Sequence, residues 1–189
     1  MPSKIEIRDL TISVIVLALA FSSFHLNEFP TMLLIIVLVF VFHELAHKYV
    51  AQKYGCFAEY RIWPLGLALS LISSFTGVIF AAPGAVYISP YKHKKFAFSI
   101  AHLTEKEYGK ISLSGPFTNI VVGLASLALL FLYPLELFST ISQISFFLAF
   151  FNLLPIFPLD GSKVFYWDKK IWLVSFIIPL IALIFLTLI

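Results

Sequence analysis

A chain of 189 residues that is 60% hydrophobic and only 12% charged lies outside the soluble range, where about a quarter of residues carry charge, and is read as an integral membrane protein. A formal net charge of +3 gives little support to nucleic-acid binding, so no nucleic-acid partner is expected. The single cysteine, Cys56, excludes an intrachain disulfide framework and a cysteine-based zinc site.

Lys4 and Arg8 precede the uncharged run Leu10–Phe24, a layout shared by signal peptides and short first helices; we read it as a retained helix. Pro30 suits the start of a second helix, about Thr31–Tyr54, which Gly55 is well placed to end. Phe57–Pro90 is apolar but broken by Pro64, Gly66, Gly77, Pro83 and Gly84, and its pattern fits helix or strand. Tyr91–Lys110 is the most polar stretch. Within it Lys92–Lys95 suits anionic headgroups, and Glu105 and Glu107 are expected as solvated surface. His25, His93 and His102 are expected at the surface or an interface. Ile111–Tyr133 is a clear span interrupted by Gly115-Pro116, and Leu137–Leu154 is the next apolar helix. After Lys163–Lys170, the run Ile171–Ile189 is long enough to cross a bilayer once. The expected fold is an all-α polytopic membrane protein of about five transmembrane helices plus a re-entrant or β-hairpin element, forming one domain over 1–189.

Basic residues orient this arrangement, because short loops that carry them stay on the cytoplasmic side. With the N-terminus inside, the second helix runs inward, and Lys48, Lys53 and Arg61 fall at its inner end. All 13 basic residues then lie at or near the cytoplasmic face of the cell membrane. Only 30 residues separate Arg61 from Lys92, whereas two helical crossings need about 40. Phe57–Pro90 should therefore dip in and return, with its backbone covered by protein or a water-filled cavity.

The second helix carries His43-Glu44-Leu45-Ala46-His47. Residues four apart share a helical face, so both imidazoles can bind one metal ion, and Glu44 can reach a metal-bound water as general base. The twelve residues before the motif, Thr31–Phe42, carry no charge. Ionisable groups at membrane depth are costly and mark function. At about 1.5 Å rise per residue, the two histidines sit roughly 9–15 Å below the boundary marked by Lys53. A catalytic zinc usually takes three protein ligands and leaves a position open, so a third must come from elsewhere. Glu28 and Glu136 lie on the wrong face. Asp160 follows two prolines at the inner end of a returning span and is the chosen third ligand.

The motif around His43, together with Asn152-Leu153-Leu154-Pro155-Ile156-Phe157-Pro158-Leu159-Asp160-Gly161, resembles the site-2 protease family of intramembrane zinc metalloproteases. The second stretch matches that family's N-x-x-P-x-x-P-L-D-G pattern throughout, and Gly115-Pro116-Phe117-Thr118-Asn119 is similar to its G-P-x-x-N segment. The likeness covers about 31–161. It implies that His43, His47 and Asp160 ligate one zinc, that Glu44 activates water, and that Asn152 positions substrate or the developing oxyanion. Substrates would be transmembrane segments of other proteins, with Phe57–Pro90 pairing with the extended substrate and water reaching the zinc from the cytoplasmic side. Two features depart from larger members: no PDZ domain follows the motif helix, and one span rather than two follows Asp160. Two other readings stay open. One is a different H-E-x-x-H membrane peptidase with a glutamate as third ligand, and the other is a non-catalytic metal-binding scaffold. The sequence does not reveal the oligomeric state.

Overall fold

A computed structural model describes residues 2–77, 79–89, 91–94, 97–100 and 103–188, with the backbone alone at 91–94 and 97–100. The side chains of the 92–95 lysine stretch, His93 and His102 therefore lie outside the described ones. The chain divides into two compact units, Met1–His102 and Leu103–Ile189.

The first unit opens with α1 (Lys4–Phe21), whose N-cap Ser3 accepts a hydrogen bond from the Glu6 amide. This helix starts before the apolar run expected at Leu10, and its Glu6 and Asp9 are buried. α2 (Phe29–Ile36) carries Pro30 in its first turn, a π-helical turn covers Val37–Val41, and α3 (Phe42–Lys53) carries the H-E-x-x-H motif. The expected helix over 31–54 is present as one continuous span, Phe29–Lys53, with a π turn inside it. A π turn holds one extra residue, which rotates everything after it by about 100° relative to an unbroken α-helix. α3 ends at Gly55 in the left-handed region (φ 78°), with the Gly55 amide donating to Gln52 O and the Cys56 amide to Ala51 O. This is a Schellman ending, which glycine adopts without steric cost.

The broken segment contains β1 (Phe57–Ile62), α4 (Pro64–Ser74) and β2 (Gly84–Ser89). β1 and β2 pair antiparallel, Phe57 opposite Ser89 and Ile62 opposite Gly84. The chain does double back, but through a helix rather than a tight turn. Inside the connection the Trp63 amide donates to Pro83 O, and the buried Ser70 hydroxyl lies 2.8 Å from Gly66 O and 2.7 Å from Phe80 O. Gly66 packs so closely on the Ala82 carbonyl that a side chain there would collide. β3 (Tyr91–Lys94) and β4 (Ala97–Ile100) form a second antiparallel pair. The β1–β2 pair falls where a re-entrant or β-hairpin element was expected, and the β3–β4 pair adds to the otherwise helical expectation. Short apolar runs between Gly and Pro are ambiguous by periodicity, and pairing with a distant partner decides them.

The second unit is helical. α5 (Glu105–Leu132) opens with a capping box, in which the Glu107 amide donates to Thr104 Oγ1 and the Thr104 amide to Glu107 Oε2. It runs unbroken through Gly115-Pro116, where an interruption was expected. α6 (Glu136–Asn152) packs along it: Ser142 Oγ donates to Gly123 O and Ser126 Oγ to Phe138 O. α7 (Asp160–Trp167) occupies part of the expected polar loop, and α8 (Lys169–Leu186) is capped by Asp168, which accepts from the Lys170 and Ile171 amides. The core holds Ile120, Ala149 and Leu153 in one cluster and Phe146, Ala182 and Leu186 in another.

Among the described residues three helices are long and apolar enough to cross a membrane: Phe29–Lys53, Glu105–Leu132 and Lys169–Leu186. The apolar part of α1 after Asp9 is about 18 Å long and α6 about 26 Å, both short of the roughly 30 Å hydrocarbon thickness. The protein is mostly helical and built for membrane association.

Candidate metal centre

α3 places His43 and His47 one turn apart on one face, as their spacing requires. Both are buried, as is Glu44. Their Nε2 atoms converge to 3.0 Å, with the rings edge to face and 4.7 Å between centroids. Two nitrogens each about 2.0–2.1 Å from one tetrahedral zinc stand roughly 3.3–3.4 Å apart, so the pair is close to ligand spacing.

Asp160 is the first residue of α7, after an extended Leu159. The turn leading to it is held from several sides. Trp172 Nε1 donates to Leu153 O at 2.8 Å, Ser162 Oγ donates to Leu159 O at 2.7 Å, and Gly161 sits against the Leu153 and Leu154 carbonyls where a side chain would collide. Lys163 Nζ lies 3.6 Å from the Asp160 carboxylate. Asn152 closes α6, and its Nδ2 donates to Leu148 O at 2.9 Å. An Asn amide has a second N–H and an acceptor oxygen beyond that bond. Asn119, on α5, is fully buried. His43 and His47 of the first unit and Asp160 of the second offer the donor types of a metal site, two imidazoles and one carboxylate. Two imidazole nitrogens and one carboxylate oxygen form a zinc-type donor set that leaves a fourth position for water or substrate.

Sequence reasoning missed a second buried polar cluster in the first unit. Lys48, the residue after His47, places Nζ 2.7 and 2.5 Å from the two Glu6 carboxylate oxygens, and Glu6 Oε1 also accepts from the Tyr60 amide at 3.3 Å. Asp9 accepts from the Ile62 amide and from Arg8. The Tyr60 hydroxyl lies 2.8 Å from Ser13 Oγ. Glu59 pairs with Arg61 and accepts from the Ser3 hydroxyl. Burial, reinforced by the Glu44 carboxylate, pushes the Tyr60 phenol up and keeps it neutral. A signal was present, because Glu6, Asp9 and Ser13 stand at i, i+3 and i+7, a polar stripe on one helical face.

Comparison with known proteins places this geometry in context. The chain is 43% identical over 178 residues to the protein named "Putative zinc metalloprotease MJ0611" of Methanocaldococcus jannaschii, covering 90% of this chain and 88% of that one. It is 26% identical over 159 residues to "Putative zinc metalloprotease YwhC" of Bacillus subtilis, covering 76% and 71%. Against "Zinc metalloprotease MJ0392" of M. jannaschii it is 25% identical, covering 85% of this chain but 41% of that one. No family model and no solved structure matches the chain. The His, His and Asp donor set and these relatives identify zinc as the cofactor.

Proposed function

The chain belongs to the zinc metalloprotease family of its M. jannaschii relative, and from that premise we propose that it is an intramembrane protease of the site-2 type, hydrolysing peptide bonds within transmembrane segments of protein substrates. What supports this reading is the buried pair His43 and His47, with Glu44 buried between them in sequence, on a helix long and apolar enough to cross a bilayer.

In this reading His43, His47 and Asp160 hold the zinc. The metal, when bound, supplies a Lewis acid that acidifies water and polarises a carbonyl. Glu44, buried beside His43, takes the proton of the attacking water and passes it to the leaving nitrogen. The Asn152 N–H that is not donated to Leu148 O is offered to the substrate carbonyl as negative charge develops there. A helical substrate hides its scissile carbonyl in its own hydrogen bonds and must extend locally, and the edge of the β1–β2 sheet offers a strand to pair with it. With α1 and α6 crossing where the bilayer thins around these shorter helices, the spans number five, the basic residues gather on the cytoplasmic side, and water reaches the zinc from that side. The partners are then transmembrane substrates and the lipid bilayer, with no nucleic acid.

The test is purified wild-type protein and the Glu44→Gln variant, each incubated with a panel of transmembrane substrates. Cleavage by wild type that disappears in the variant while zinc stays bound is the expected result. Absence of cleavage of every substrate by wild type would overturn the protease reading in favour of a scaffold. Full zinc retention in Asp160→Ala would move the third ligand to a glutamate.

A further inference from the structure

We propose that the buried ion pair between Glu6 and Lys48 is a positioning device for the metal centre: through it, α1 sets the rotation of α3 and hence the direction in which His43, Glu44 and His47 point. The inference rests on the reading above that these histidines are ligands.

Lys48 is not an interfacial cation reaching for headgroups. Its side chain is 13% exposed and that of Glu6 only 2%, with two short contacts between them. Removing both charges from water is costly, so the pair is a poor choice if its task were stability alone. Its place on the helix is informative. Lys48 is four residues after Glu44 and one after His47, so around the axis it lies about 40° from Glu44 and about 100° from His47. Anchoring Lys48 therefore anchors the angle of all three motif side chains.

α3 needs such an anchor because of what precedes it. The π turn at Val37–Val41 uncouples the angular register of α3 from that of α2, and a one-residue slip there would swing the motif by about 100°. The carboxylate that holds Lys48 also accepts the Tyr60 amide of β1, and the Tyr60 ring packs edge-on against Phe40 inside the π turn, with 5.8 Å between centroids. The chain of contacts closes on itself: π turn, Tyr60, Glu6, Lys48, motif helix.

The test uses full-length protein in detergent, with zinc affinity measured by competition against a chromophoric chelator and the visible spectrum of the cobalt(II)-substituted protein recorded alongside. Supporting groups behind metal ligands are typically worth 10–100-fold in affinity or activity. Glu6→Gln and Lys48→Met are each expected to weaken zinc binding about tenfold or more and to shift the cobalt bands, while Lys48→Arg, which keeps the charge, stays within about threefold of wild type. Where cleavage is measurable, kcat should fall while KM holds. Wild-type zinc affinity and an unchanged cobalt spectrum in Glu6→Gln and Lys48→Met would overturn the proposal, even if both variants melt earlier. If either single variant fails to fold, the double variant Glu6→Leu with Lys48→Met, an apolar pair of similar volume, is scored the same way: weakened zinc binding supports the proposal and wild-type binding overturns it. A wild-type protein that binds zinc yet cuts nothing would sink the protease reading, and the metal readouts would still decide this one.

Discussion

The two units bury polar groups in different ways. In Leu103–Ile189 the hydroxyls of Ser126 and Ser142 each donate to a main-chain carbonyl of a neighbouring helix, around hydrocarbon clusters centred on Ile120 and Phe146. In Met1–His102 the buried set includes Glu6, Asp9, Glu59, Tyr60 and the motif itself, and the partners include charged side chains and strand amides. Serine hydroxyls between helices are the usual glue of membrane bundles, each contributing little. Ionised groups in an apolar fold are costly unless matched, so their concentration around α3 marks where function outweighs stability.

Substitutions on each side can break or sharpen that contrast. Glu44→Gln should lower kcat about 10²- to 10⁴-fold with zinc content unchanged, the range a general acid–base group contributes, as read by cleavage and metal analysis. A loss of folding with no specific loss of activity would make the first unit's charges structural after all. In the second unit, Phe146→Ala removes a ring that is fully buried against Gly123 and should cost about 3–5 kcal/mol in reversible unfolding. Gly161→Ala drives a methyl into the Leu153 and Leu154 carbonyls and should cost about 1–3 kcal/mol, with zinc affinity reduced because Asp160 is the adjacent residue. Tyr60→Phe, which leaves Ser13 without its phenol partner, should cost about 0.5–1.5 kcal/mol. Ser142→Ala should be the mildest at about 0.6 kcal/mol, the average for a hydrogen bond between membrane helices. If Ser142→Ala proved as costly as Phe146→Ala, the second unit would not be the hydrocarbon-packed bundle described.

The candidate residues of the site were chosen from local sequence alone. His43 and His47 share a face because any helix puts residues four apart there, and Asp160 stood out as an acid beside Gly161 after two prolines. Gly55 ends α3 and Pro30 begins α2 as expected, because caps depend on neighbours within one turn. The Thr104-x-x-Glu107 box was also readable, and would have moved the start of α5 six residues earlier.

Composition alone determined that the chain belongs in a membrane, and local spacing determined the motif helix and its two histidines. Only the tertiary structure decided that a π turn lies within that helix, that α4 sits between two paired strands, and that Glu6 reaches Lys48 across 42 residues of chain. The reason is range. Periodicity and capping are settled by energies within a turn or two, whereas strand pairing and the burial of a charge depend on which distant segment arrives to satisfy them.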